Sequence, residues 1–226
     1  MRVKSKVLAV LSVLAGLGCG GRQPGVLQID PSADQQRPKQ VTIVDTRLIS
    51  LDQLSRVLSI EGDLRVVNNE SLINCHGLGG LRTIGRDLII FGNPKLANLD
   101  PLSSLVTVGR DLIVSNNSDL ITLDGLGSLN SVGRNLDIAG NEGLVNLTGL
   151  GGLTAIKGYL TIRDNLTLRD LSALGNLKTI GGMLRIERNP NLPTCQAEQL
   201  KEQLPRSSDV RICGNQADAC GSTPCG

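Results

Sequence analysis

Gly85-Arg86-Asp87-Leu88-Ile89-Ile90-Phe91-Gly92-Asn93-Pro94 is a phrase that the chain repeats. Gly109-Arg110-Asp111-Leu112-Ile113-Val114 and Gly133-Arg134-Asn135-Leu136-Asp137-Ile138 restate it. Leu64, Leu88, Leu112, Leu136, Leu160 and Leu184 succeed one another at intervals of 24 residues. Self-similarity at a fixed period of this size marks a solenoid, in which stacked repeats bury a shared core that no single repeat could bury alone.

Taking each of these leucines as position 0, positions 0 and +2 are apolar throughout, as in Leu88/Ile90 and Leu112/Val114. Alternation predicts a short strand with those two side chains inward. The period then changes to three, in Leu96, Leu99, Leu102, Leu105 and Val108 and again in Leu120, Leu123, Leu126, Leu129 and Val132. Three suits neither an α-helix nor a flat strand. It suits a path that turns corners in short 3₁₀ or extended pieces while aiming one residue in three at an axis. Position +5 is Asn69, Asn93, Asn117, Asn141, Asn165 and Asn189. A stacked ladder bonding backbone and neighbouring amides explains this column better than a site does. A glycine precedes each strand (Gly62, Gly85, Gly109, Gly133, Gly158, Gly181), and a positive-φ bend is its simplest reason.

The ends are irregular, as terminal repeats of a solenoid are. The first copy, Val41–Ile60, carries Asp45 in the asparagine slot. Thr194–Leu204 reads as a short helix with Thr194 as N-cap and Pro205 beyond its end, and Glu198 and Lys201 stand in leucine slots. Val210-Arg211-Ile212 supplies one further strand, with Asn215 in the asparagine slot. The expected fold is mainly β: a leucine-rich-repeat-like solenoid, or β-helix, over residues 41–215, with residues 216–226 as a cysteine-containing tail.

Residues 1–18 have a basic start and an apolar run, Val7–Leu17, that is too short to span a bilayer and reads as a signal peptide. Leu14-Ala15-Gly16-Leu17-Gly18-Cys19 resembles a lipobox, with Gly18 suitably small and Gly16 and Leu17 departing from the usual pattern. That resemblance implies lipidation at Cys19, with secretion of a soluble product as the alternative. Residues 19–40 lack an apolar period and read as a tether spanning roughly 25 Å. The expected location is therefore the cell envelope, on a lipid-anchored membrane.

Composition excludes several functions. Without Arg2, Lys4 and Lys6 the formal charge falls from +2 to −1, and no basic block remains to collect phosphates, which argues against nucleic acid. His76 is the only histidine, so no multi-histidine metal site exists. Adjacent Cys75 and His76 point apart on a strand or turn, and Gly77-Leu78-Gly79-Gly80 lacks the context of a phosphate loop. Cofactors and catalytic residues are thus not expected. Cys75 takes a leucine slot and reads as a buried small hydrophobe. Cys195, Cys213, Cys220 and Cys225 cluster at the C-terminus, where four cysteines allow three pairings; zinc is the weaker alternative because the spacing is not C-x₂-C. Arg86, Arg110 and Arg134 beside Asp63, Asp87 and Asp111 read as a solvated charge lattice rather than an anion site.

The phrase G-R-D-L-x-I-x-x-N, followed by leucines every third residue, resembles the receptor L-domain family. The resemblance runs over roughly residues 41–215 and implies a right-handed β-helical solenoid of non-enzymatic, polypeptide-binding character. It extends to bacterial secreted members, whose C-terminal cap Asn189–Cys195 and Gly214-Asn215…Cys220 resemble. It implies a Cys195–Cys220 bridge, leaving Cys213 with Cys225. No ligand-contact residues carry over. Leucine-rich repeat proteins are the near alternative.

The outward strand positions +1 and +3 supply the candidate site. They are apolar in the N-terminal half, at Val67, Ile89, Phe91 and Ile113, and charged in the C-terminal half. A solenoid sheet is a common docking surface, so these four residues are the expected contact with a protein or peptide. A passive envelope spacer is the competing function. A polysaccharide-binding or polysaccharide-active β-helix ranks last, for want of long loops, clustered acids and aromatic platforms.

Overall fold

The computed structural model describes residues 26–30, 36–44, 47–204, 209–221 and 224–225. Expectations placed on residues 1–18, Cys19, Asp45 and Pro205 lie outside them. The chain winds as a β-solenoid. One side is a nine-stranded sheet: Val26–Asp30, Gln40–Val44, Leu64–Val67, Leu88–Phe91, Leu112–Ser115, Leu136–Ala139, Leu160–Arg163, Leu184–Glu187 and Val210–Cys213. A second side is a six-stranded sheet of two-residue strands from Ser59–Ile60 to Thr179–Ile180. The corners on the third side are 3₁₀ turns, among them Asp100–Leu102, Asp124–Leu126 and Thr148–Leu150. The three-residue leucine spacing finds its cause there, since a 3₁₀ turn returns to the same face every third residue.

Register is kept from coil to coil. Leu64, Leu88, Leu112, Leu136, Leu160 and Leu184 face one another in parallel ladders. Within one coil Leu112, Val114, Leu120, Leu123, Leu126, Leu129 and Val132 are all fully buried. Aliphatic side chains stacked at about 4.8 Å fill this core without aromatics.

The asparagine column is a structural ladder. Asn117 Nδ2 donates to Asn141 Oδ1 (3.1 Å), to Ile90 O (3.1 Å) and to Ser115 O (3.0 Å), while its Oδ1 accepts from the Asn93 backbone N–H (3.1 Å). Asn93, Asn141, Asn165 and Asn189 repeat this pattern, fully buried. Each amide oxygen thus takes the backbone N–H of the asparagine one coil back, a group that would cost about 1–3 kcal/mol if left bare, while Nδ2 adds a second bond to carbonyls such as Ser115 O, which also accepts the Gly92 N–H (3.0 Å).

A second ladder runs just before the strands. Asp63, Asp87 and Asp111 each accept, through Oδ1, the backbone N–H of the same position one coil on (3.2, 3.1 and 3.0 Å). Arg86, Arg110 and Arg134 reach back to these carboxylates at 3.8, 3.8 and 3.6 Å. The charge lattice therefore braces the stack, with the carboxylates bonded to backbone rather than open to a ligand.

The corner glycines have a different cause from the expected one. None of Gly62, Gly85, Gly109, Gly133, Gly158 and Gly181 has positive φ. A Cβ on Gly109 would instead fall inside the contact distance of the Gly85 carbonyl, and one on Gly133 inside that of Gly109. The coils approach too closely there for any side chain. Positive φ occurs at position +4, one residue before the asparagine ladder: Asn68, Gly92, Asn116, Gly140, Asp164, Arg188 and Gly214. These residue types tolerate the left-handed region, Arg188 excepted.

Both ends are closed. Val26–Asp30 pairs antiparallel with Gln40–Val44 and buries Leu27, so the stretch expected to be tether contributes a capping strand. Val26-Leu27-Gln28-Ile29 is too short, and too closely flanked by Pro and Gly, to announce itself in the sequence. At the other end the helix is Thr194–Gln203, burying Ala197 and Leu200. Thr194 is not its N-cap; that position is Pro193, and the Thr194 hydroxyl donates to Gln216 O (2.8 Å). Glu198 and Lys201 pair with each other (2.7 Å), while Leu200 and Leu204 cover the core. Gln196 accepts the Leu171 N–H (2.7 Å) and Gln203 donates to Leu174 O (3.0 Å), satisfying backbone edges of the last coil. Disulfides join Cys195 to Cys220 and Cys213 to Cys225, tying the tail to the cap.

Candidate functional site

The outer face of the long sheet presents two columns of side chains. One reads Thr42, Arg65, Ile89, Ile113, Asp137, Thr161, Arg185 and Arg211; the other reads Val44, Val67, Phe91, Ser115, Ala139, Arg163, Glu187 and Cys213. The four candidate residues come together on three adjacent strands, with Val67 opposite Phe91 and Ile89 opposite Ile113. Val67, Ile89 and Ile113 are half-buried, and Phe91 is 36% exposed. Val44 extends the patch by one coil. Val26–Asp30, which could have folded over this face, lies along the sheet edge instead.

Beyond Phe91 the face is floored by small groups. Ser115, Ala139 and Thr161 point outward yet are only 7%, 4% and 7% exposed. Beyond them lies a charge cluster. Arg188 grips Asp164 through Nε–Oδ1 (2.6 Å) and Nη2–Oδ2 (2.8 Å), Arg163 meets Asp164 (3.0 Å), and Arg211 meets Glu187 (3.0 Å). The Arg188 hydrogen bond, outweighing a partial burial, holds the Asp164 carboxyl below its usual range.

Asp137 sits between these halves and was missed as a site residue. It faces Ile113 on one side and Thr161 on the other. Its Oδ1 is buried without a hydrogen-bond partner among the described residues, and burial pushes its carboxyl above the usual range, against the opposing pull of Arg163. The sequence offered a signal: Asp137 is the one acid among the strand positions +1.

A second apolar column was also missed. Ile73, Ile121 and Val145 are exposed at position +9, with Ala97 between Ile73 and Ile121, and exposed Ile49 stands at +8 of the first coil, which is one residue shorter. Backbone bonds stack Ile73, Ala97, Ile121 and Val145 in order (3.2, 3.3 and 3.1 Å) before Arg169 ends the run. Counting only the leucines hid this ridge. Next to it, Asn98, Asn146 and Asp170 accept the N–H groups that open the 3₁₀ turns (3.3, 3.1 and 2.7 Å), so Asn146 of the Asn-Leu-Thr sequence serves its own turn.

Cys75 is fully buried and its thiol is pushed up to about 12, which leaves no nucleophile beside the exposed His76. Among the described residues, the acid and cysteine group close enough to hold a metal is Cys195, Asp218 and Cys220. Its two sulfurs are bonded to each other, and Asp218 accepts the Cys195 and Cys220 N–H groups (2.8 and 2.9 Å).

Residues 130–220 match the family model of the receptor L domain. The coils before residue 130 continue the same parallel register without interruption. No curated protein matches the chain.

Proposed function

We propose, from the premise that residues 130–220 belong to the receptor L domain family, that the whole stack is a non-enzymatic module docking a polypeptide on its long sheet. Receptor L domains are ligand-binding and non-catalytic, which supports the class of function. The observation that carries the choice of face is the contiguous patch of Val67, Ile89, Phe91 and Ile113, set in register on the outer side of the sheet with Phe91 36% exposed. Single exposed apolar residues are ordinary; a cluster ringed by polar groups is the usual sign of an interface.

The N-terminal sequence supports export, with a signal peptide over residues 1–18 and a lipid on Cys19 holding the solenoid at the cell envelope. Replacing Cys19 with Ser and fractionating cells tests the anchor: the variant leaves the membrane fraction, and a variant as membrane-bound as the parent removes it. For the docking face, the chain is used as bait in envelope extract beside its Phe91→Ala variant. Loss of a partner from the variant, with the fold intact, is the expected outcome; equal capture by both takes this face out of consideration.

A further inference from the structure

The boundary between the apolar patch and the charged half of the long sheet carries a specificity element. Asp137 stands one strand beyond Ile113, about 4.8 Å away, on the same outward column. The acids elsewhere on this face are ion-paired at contact distance: Asp164 by Arg188 and Arg163, and Glu187 by Arg211 (3.0 Å), although its Oε1, like Asp137 Oδ1, accepts no hydrogen bond among the described residues. Arg163, the cation diagonal to Asp137, is thereby drawn toward Asp164 at 3.0 Å. Asp137 keeps a buried Oδ1 with no hydrogen-bond donor among the described residues. Such a group is costly in a solvent-facing sheet unless something completes it. Asp137 as a whole is half-exposed on the outer face, so an incoming side chain can meet its carboxylate from the solvent side. A half-exposed carboxylate at the edge of an apolar patch is a group that receives a guanidinium or ammonium.

We propose that the partner docking on this face is a polypeptide segment presenting a bulky apolar side chain to Phe91 and Ile113 and, next to it, a lysine or arginine to Asp137. This rests on the docking face proposed above and adds the chemistry of its occupant. The apolar patch supplies most of the affinity; Asp137 selects among apolar segments by requiring the cation.

The test selects a displayed random-peptide library on the immobilised full chain, on Asp137→Asn and on Phe91→Ala. Asp137→Asn conserves shape and removes a charge whose buried Oδ1 accepts no hydrogen bond among the described residues, so it folds; a melting curve confirms this. The parent enriches peptides with Lys or Arg beside a bulky apolar residue. Asp137→Asn loses the basic preference and binds the parent's peptides about tenfold more weakly. Asp137→Lys exchanges the preference for Asp or Glu. Peptides that are lost with Phe91→Ala but indifferent to Asp137→Asn overturn this proposal and leave the docking face standing. Absence of enrichment, or peptides indifferent to Phe91→Ala, overturns both. Self-association of the parent in sedimentation, abolished by Phe91→Ala, assigns the face to a second copy of the chain and likewise overturns the proposal.

Discussion

The inside and the outside of one strand obey different rules. Inward from the long sheet, every coil repeats the last: Leu at position 0, Ile or Val at +2, Asn at +5, fully buried in the central coils. Outward, position +1 runs from Ile89 to Asp137 to Arg185 across five strands, and position +3 from Phe91 to Ala139 to Glu187. Both sets of residues belong to the same strands, so backbone demands are equal. The difference is that stacking dictates the inner positions, because each must fit its copy 4.8 Å away, and leaves the outer ones open to a partner. Variation within a repeat is thus a guide to function where regularity is a guide to fold.

The comparison breaks most visibly at the ladder. Asn117→Ala removes the acceptor of the Asn93 N–H and the Nδ2 donor to Ile90 O, both buried in the core. The expected cost is on the order of 4 kcal/mol, a fall in Tm of ~10 °C by calorimetry. Gly109→Ala comes next. Its Cβ collides with the Gly85 carbonyl, and prying two coils apart costs about 3 kcal/mol by urea titration. On the outer face, Phe91→Ala is expected to weaken partner binding by ~2 kcal/mol, roughly thirtyfold, when affinities are compared by surface plasmon resonance.

Smaller effects sharpen the contrast between two outer carboxylates. Asp164 has a folded-state value below the usual one, so its pairing with Arg188 contributes stability above the ordinary carboxylate range and loses it as pH falls through the lowered value. Both side chains are more than a third exposed, so Arg188→Ala costs less than about 1 kcal/mol at pH 7, with the difference shrinking as pH falls through the lowered value. Asp137 has the opposite sign. Its raised value means the ionised form opposes folding above the carboxylate range, and the penalty fades as pH falls. Asp137→Asn therefore melts at or slightly above the parent at pH 7 and level with it at pH 3. Ile121→Asp, on the second apolar column, leaves both stability and partner capture nearly unchanged; loss of the partner there moves the docking surface to that ridge.

Most of the fold was legible because the repeat announces it. A 24-residue leucine spacing fixed the parallel register, and three-residue spacing located the 3₁₀ corners. The glycines were visible but their cause was not, since closeness between coils is a property of the stack rather than of any one turn. The capping strand Val26–Asp30 escaped because five residues with no copy elsewhere carry too little pattern. The site was legible only in part. Val67, Ile89, Phe91 and Ile113 follow from strand alternation, whereas the isolation of Asp137 depends on where Arg163 and Asp164 spend their bonds, which side-chain geometry alone decides.

The separation of fold from docking face is tested most directly by melting Phe91→Ala beside Asn117→Ala and the parent. Phe91→Ala is expected to melt within about 2 °C of the parent, because its ring stands on an uncovered face, while Asn117→Ala falls by ~10 °C. If Phe91→Ala falls as far as Asn117→Ala, the ring is part of what holds the protein together and the outer face is not free for a partner.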